Sequence, residues 1–194
     1  MNHLETKSNI HTKRKLVHSA VGIVFFFAFT SEAFEESNLE IIIYCLAALG
    51  VFIDLLRFLN PKLNQNLLLI FKSLARKEEV SKFSGMTTYF VSAAVCLSIL
   101  SAKTVAPFFL VVAIADPMAS VMGIKWGGLK TYRDKTLIGL FTYFIIAGLI
   151  LNFLGFPLQK TLILASILSL TESFVPLDDN LSVPIMGVFI QIML

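Results

Sequence analysis

Charge is what this sequence has least of: Asp, Glu, Lys and Arg make up 15% of its 194 residues, whereas 56% are hydrophobic. A soluble domain of that length needs enough polar surface to cover itself, so the composition excludes the ordinary water-soluble class. Cysteine is nearly absent. Cys45 and Cys96 each lie within an apolar run, offer neither a disulfide framework nor metal-ligand spacing, and read as small hydrophobes. There is no soluble domain, no low-complexity stretch, no convincing internal repeat and no Walker A loop. The apolar runs also lack the short alternation of an outer-membrane barrel. What the chain has in quantity is phenylalanine, eighteen residues, with a mean hydropathy of +0.80. Both suit a solvent of acyl chains, and backbone facing lipid must satisfy its own hydrogen bonds, so the expected fold class is all-α.

Seven apolar runs predict seven membrane spans: Leu16–Phe34, Leu39–Leu59, Ser84–Ala102, Val105–Ile124, Leu137–Phe156, Leu158–Val175 and Leu181–Leu194. A crossing needs about 20 residues; the first five are long enough, the sixth is just adequate and the last is short. No clean small-x-small cleavage site follows the first run, and Glu32, Glu35 and Glu36 crowd its end, so it is read as a retained span. Lys7, Lys13, Arg14 and Lys15 precede it. Arg57, Lys62, Lys72, Arg76, Lys77 and Lys82 fall in the second connection, and Lys125, Lys130, Arg133 and Lys135 in the fourth. Fourteen of the sixteen basic residues thus fall on one side, against Lys103 and Lys160 on the other. The positive-inside rule makes that side, with the N-terminus, cytoplasmic. Leu67, Ile70, Phe71 and Leu74, at i, i+3, i+4 and i+7, predict an amphipathic helix on the inner leaflet between spans two and three. Residues 1–194 are expected to form one integral membrane domain. The formal charge is only +3, and no nucleic-acid partner is expected.

Ionisable residues inside such spans are expensive and are functional candidates by default. Arg14 and His18 share one face at the start of span one, next to Lys15. Asp54 and Arg57, three apart before Asn60-Pro61, are explained equally by a self-satisfying ion pair and by function. The strongest feature is Asp116-Pro117 within span four. It predicts a broken helix that restarts with Asp as N-cap and Pro at the first position, buried in protein or lining a wet cavity. Asp116, Ser120 and Gly123 would share a face, with Asp116 about 10 Å of helix from Gly123 and so within reach of the cytoplasm. Lys125-Trp126-Gly127-Gly128, Lys130, Arg133-Asp134-Lys135-Thr136 and Gly139 then offer cations and glycines before a helix start, a plausible phosphate cradle. Glu172 ends span six, and Asp178-Asp179-Asn180 follows. Carboxylates there, with Asp116, suit magnesium. Carboxylates for a metal, cations for phosphates and a histidine at the lipid interface suit chemistry between a nucleoside triphosphate and a membrane-bound alcohol or phosphate.

The same residues resemble the polyprenol, phytol and diacylglycerol kinase family, CTP-dependent lipid kinases akin to dolichol kinase and distantly similar to phosphatidate cytidylyltransferases. The resemblance runs through Arg14-Lys15-Leu16-Val17-His18, Asp54-Leu55-Leu56-Arg57 with Asn60-Pro61, and Ser84-Gly85. It continues through Asp116-Pro117-Met118-Ala119-Ser120-Val121-Met122-Gly123, Trp126-Gly127 and Lys135-Thr136-Leu137-Ile138-Gly139. Glu172 and Asp179-Asn180-Leu181-Ser182-Val183-Pro184 complete it. The resemblance implies transfer of the γ-phosphate of CTP to a lipid hydroxyl. Asp116, Glu172 and Asp179 would hold Mg2+, and Asp116, His18 and Asp179 would carry catalysis. Arg14, Lys15, Ser120, Gly123, Lys135, Thr136, Gly139 and Asn180 would bind the nucleotide. Two departures stand out: Ile138 replaces the usual acidic residue before Gly139, and Asp54 stands where Glu is common. The rival readings are a cytidylyltransferase acting on phosphatidate, whose long signature is missing, and a small transporter. The latter needs matching interrupted spans in two halves, and only one Asp-Pro break is visible.

Overall fold

The computed structural model describes residues 3–32, 35–71, 77–132 and 135–194, with side chains from residue 13 onward and without those of 77 and 78. Phe34, Lys72, Leu74, Arg76, Arg133 and Asp134, and the side chains of Lys7 and Lys77, lie outside the described residues. Among those described, the structure is all-helical: α1 His3–Thr30, α2 Glu36–Leu59, α3 Pro61–Ile70, α4 Gly85–Leu97, α5 Ala102–Trp126, α6 Leu137–Phe153, α7 Leu158–Phe174 and α8 Asp179–Met193. A single 3₁₀ turn at Lys77–Val80 and an isolated antiparallel bridge between Lys130 and Thr136 complete it.

Four of the described helix starts carry a side-chain cap. Asn60 ends α2 and begins α3, its side chain accepting from the Lys62 and Leu63 amides while Pro61 takes the first position, where a missing N–H costs nothing. Ser84 accepts from Thr87 N, Thr136 from Gly139 N and Asp178 from Asn180 N, capping α4, α6 and α8. The Glu36 carboxylate, from α2, accepts from the Ala102 amide at 2.7 Å and so serves the positive end of α5.

Helix α5 is the axis of the bundle and packs on α1, α6 and α8, while α4 packs on α2 and α8 and α7 on α6 and α8. Val105, Phe108, Phe109, Val111, Val112 and Ala115 on α5 are fully buried, and Phe25, Phe29, Tyr89, Tyr143, Leu164 and Val183 from the surrounding helices join the same core. The break expected at Asp116-Pro117 is absent: α5 runs unbroken through both Pro107 and Pro117. Proline's fixed φ is itself helical, although Pro117 both deprives the Ala113 carbonyl of a donor and crowds it with its ring. Packing of the buried Ala113, Ala115 and Ala119 then outweighs one lost bond. Asp116 is therefore a mid-helix side chain and not an N-cap.

Two other expectations shift. The third apolar run holds a shorter helix than expected, since α4 stops at Leu97 and α5 begins at Ala102. The connector helix begins at Pro61, because Asn60-Pro61 starts a helix as well as ending one, and it closes at Phe71. Helices α2 and α5 are long and apolar enough to cross a membrane by length and composition. Outward faces are strongly apolar: Phe141, Ile145 and Leu149 form an exposed stripe on α6, as do Ile41, Leu49 and Phe52 on α2.

Candidate active site

Polar side chains from five elements meet at the end of the bundle where α5, α6 and α8 carry their sequence motifs. Asp116 comes from α5, Glu172 from the last turn of α7 and Asp179 from the first residue of α8. One carboxylate oxygen from each lies within 4.8 Å of the others. Glu172 is buried, Asp116 and Asp179 are half-buried, and Ser173 Oγ donates to Glu172 Oε2 at 2.9 Å.

Lys135 reaches into this group from the connection before α6. Its ammonium lies 2.7 Å from Glu172 Oε1 and 3.0 Å from Asp179 Oδ2. It also donates to the Glu172 backbone carbonyl, one of the acceptors a helix leaves open at its last turn. Burial works against the charge on Lys135, but the carboxylates of Asp179 and Glu172 more than offset it, so its pKa is raised above 10.5. The lysine is aimed by a small hairpin. Gly127 and Gly128 turn the chain with φ of +65° and +99°, Thr131 N donates to the Lys135 carbonyl at 2.7 Å, and Leu137 N donates to the Leu129 carbonyl at 3.0 Å. Ile138, the departure from the family pattern, packs over Gly128 and closes this hairpin from its apolar side.

On the far side of Asp116, His18 Nε2 lies 3.8 Å from Asp116 Oδ2. The His18 ring meets Tyr89 edge-on with centroids 5.6 Å apart. Lys15, one turn earlier and half-buried, is in electrostatic reach of both Asp116 and Arg14. Asn180 is buried and donates to the Gly85 carbonyl at 3.2 Å, while Thr88 donates to Asp178 at 3.2 Å, tying the start of α8 to the start of α4. Asn180 Oδ1 is buried with no hydrogen-bond partner among the described residues.

The structure thus brings His18, Asp116, Lys135, Glu172 and Asp179 together, with Lys15 close by. It gives Gly123 and Gly139 a packing role. A Cβ on Gly123 would stand 2.7 Å from Thr136 Oγ1, and one on Gly139 3.2 Å from the Ala119 carbonyl, so both glycines let α5 and α6 approach. Ser120 is half-buried one turn beyond Asp116. Asp54 and Arg57 form a structural knot joined to the start of α8 through Ser84-Gly85, whose Gly85 carbonyl accepts from Asn180. Arg57 holds Asp54 at 2.5 Å, Asn64 at 3.1 Å and the carbonyls of Glu79 and Lys82, while Ser84 N donates to Asp54 at 2.9 Å.

Sequence reasoning missed Tyr143. It sits on α6 four residues after Gly139, fully buried, in electrostatic reach of all three carboxylates. The available signal was a phenol inside an apolar run, whose polar tip needs a polar neighbour.

Comparison with known proteins adds one relative. Over 135 residues the chain is 25% identical to the CTP-dependent diacylglycerol kinase 1 of Saccharomyces cerevisiae, a match covering 69% of this chain and 46% of that protein. The chain therefore spans about half the length of the curated relative it matches. No family profile matches the sequence, and no solved structure matches it. The relative and the cluster it accompanies point, at the level of reaction class, to similarity with a CTP-using lipid kinase.

Proposed function

We propose that this chain is a membrane-embedded kinase that moves the γ-phosphoryl group of CTP to the hydroxyl of a membrane lipid at the cytoplasmic face. The observation that carries the reading is the convergence of Asp116, Glu172 and Asp179 within 4.8 Å, with His18 against Asp116 and Lys15 in reach. The exposed apolar faces of α2 and α6 support a lipid surround, since large contiguous apolar surface is rare on soluble monomers. The bias of basic residues supports a cytoplasmic site.

Three carboxylates this close repel one another, and Lys135 offers one positive charge against three negative ones. Octahedral magnesium sets its ligand oxygens about 3 to 4 Å apart, so the cluster fits a divalent cation after a small inward movement. Bound there, the metal would neutralise charge on the triphosphate oxygens. Arg14 and Lys15 lie on the entry side of α1 to bind the remaining phosphate charge. Lys135 holds Glu172 and Asp179 in place, and Asn180 presents a free acceptor at the start of α8.

In the transfer, the lipid hydroxyl oxygen bonds to the γ-phosphorus as the bond from that phosphorus to the β–γ bridging oxygen breaks. CDP leaves, and the hydroxyl proton passes to the His18–Asp116 pair. Diacylglycerol, a polyprenol and phytol are the acceptors to compare, with diacylglycerol first because the yeast relative is named for it. The transport reading loses its motive, because α5 is continuous.

The test supplies membranes or detergent-solubilised protein with magnesium and CTP labelled at the α or the γ position. Each alcohol and phosphatidate is offered in turn. Label from the γ position in the lipid establishes the kinase and identifies its acceptor; label from the α position replaces it with a cytidylyltransferase.

A further inference from the structure

Tyr143 is a buried group in this site that the proposed chemistry does not use. Gly139, Tyr143, Ala147 and Leu151 form the buried stripe of α6, each four residues after the last. Tyr143 is 0% exposed, and among the described residues its hydroxyl has no hydrogen-bond partner. A hydroxyl shut away from water without a partner destabilises the fold, a penalty that phenylalanine at the same position avoids. Its electrostatic neighbours, strongest first, are Glu172, Asp116, Asp179 and Tyr89. The first three are the carboxylates of the cluster. The fourth already donates its proton to the Phe109 carbonyl at 3.4 Å.

Glu172 has room for such a donor. Its carboxylate receives Ser173 Oγ on one oxygen and Lys135 on the other, which leaves lone pairs unused on an acceptor that offers about four. Glu172 is also the most buried of the three carboxylates, so water is least able to orient it. Carboxylates that ligate metals are themselves held by outer hydrogen bonds, and loss of such a bond weakens metal binding about 10- to 100-fold.

We infer that Tyr143 is a positioning residue for the carboxylate cluster: its phenol O–H, otherwise without a partner, is bridged to Glu172 through one water and turns that carboxylate toward a bound divalent cation. This rests on the reading of Asp116, Glu172 and Asp179 as magnesium ligands.

The experiment titrates the full chain in detergent micelles with Mn2+, an oxygen-preferring substitute for Mg2+ whose free form is counted by electron paramagnetic resonance. Tyr143→Phe should weaken Mn2+ binding about 10-fold, while its metal-free thermal midpoint stays unchanged or rises. Tyr89→Phe, the other buried phenol, should bind Mn2+ as wild type does. Wild-type affinity in Tyr143→Phe overturns the inference and leaves the metal site standing. Absence in wild type of any Mn2+ site that Asp116→Asn removes overturns both. Weakened binding with a lowered metal-free midpoint, or equal weakening in Tyr89→Phe, also overturns the inference, because it assigns the ring a packing role.

Discussion

Lys135 and Asp179, forty-four residues apart in sequence, meet at 3.0 Å between Nζ and Oδ2, and this contact fastens the α5–α6 hairpin to the first turn of α8. The same ammonium holds Glu172 at 2.7 Å, so one side chain links three separate segments of the site. In the metal-free protein it is the cation that lets two of the carboxylates stand so close.

Replacing that cation should therefore loosen the site and destabilise the protein together. Lys135→Met leaves Glu172 and Asp179 unpaired; with 27% of the lysine side chain exposed, the loss should be about 2 kcal/mol, below that of a fully buried pair. The contribution also has a pH signature. The folded-state pKa of Lys135 is raised, so its own titration leaves the stabilisation complete below its ordinary value of 10.5 and removes it as pH rises through the folded value. Metal-free denaturation of wild type and Lys135→Met should show a gap that narrows as pH falls through about 7, where Asp179, its pKa raised by burial, takes up a proton, and that closes as pH rises above 10.5. A gap independent of pH would mean the side chain acts by packing alone.

The His18–Asp116 pair makes a kinetic prediction. Asp116→Asn and His18→Gln should each lower kcat by about 100-fold or more, the usual scale for losing a positioned acid or base. The two groups stand 3.8 Å apart, and if they serve one proton transfer the double variant should be scarcely worse than the weaker single one. Additive losses in a γ-label transfer assay would show that the two side chains serve separate steps.

How much of this was legible in the sequence depends on the range of the interaction concerned. The start of α6 was readable because Thr136 caps an amide only three residues away, whereas Asn60-Pro61 signalled the end of α2 and not the start of α3 that it also makes. The site residues Asp116, Glu172 and Asp179 were legible because charge in an apolar run is expensive and rarely idle. Their convergence was not, since it depends on how α5, α7 and α8 pack. Asp116-Pro117 misled for a related reason: local rules favour a helix start there, and the buried alanines on either side outweigh them. Asp54 and Arg57 were ambiguous because their decisive partners, the carbonyls of Glu79 and Lys82, carry no side-chain signal at all.

That knot predicts a variant damaged in folding and spared in chemistry. Asp54 and Arg57 are 2% and 4% exposed, and Arg57→Met would leave the Asp54 carboxylate buried without its cation. The cost should be about 3 to 5 kcal/mol, seen as a lowered thermal midpoint and poor yield. Transfer activity per folded molecule should fall far less than in Asp116→Asn, since the Arg57 guanidinium bonds to Asp54, Asn64 and two backbone carbonyls and to none of the three cluster carboxylates. A well-folded but inactive Arg57→Met protein would instead assign this arginine to substrate.

Gly123 tests whether the close approach of α5 and α6 sets the site's geometry. A methyl group there meets Thr136 Oγ1 at 2.7 Å, and that oxygen is the cap accepting from Gly139 N at 3.1 Å. Gly123→Ala therefore has to push the start of α6 away or rotate Thr136 off its cap. Overpacking of this kind costs about 1 to 3 kcal/mol, whereas Thr136→Ala loses only the cap, about 1 kcal/mol. Thr136 is next to Lys135, so displacement of α6 also withdraws the ammonium from Asp179. Gly123→Ala should consequently lose more transfer activity than Thr136→Ala, and adding Thr136→Ala to it should restore part of both stability and rate by removing the oxygen that clashes. A double variant worse than either single one would mean that the glycine is required by something other than the helix crossing.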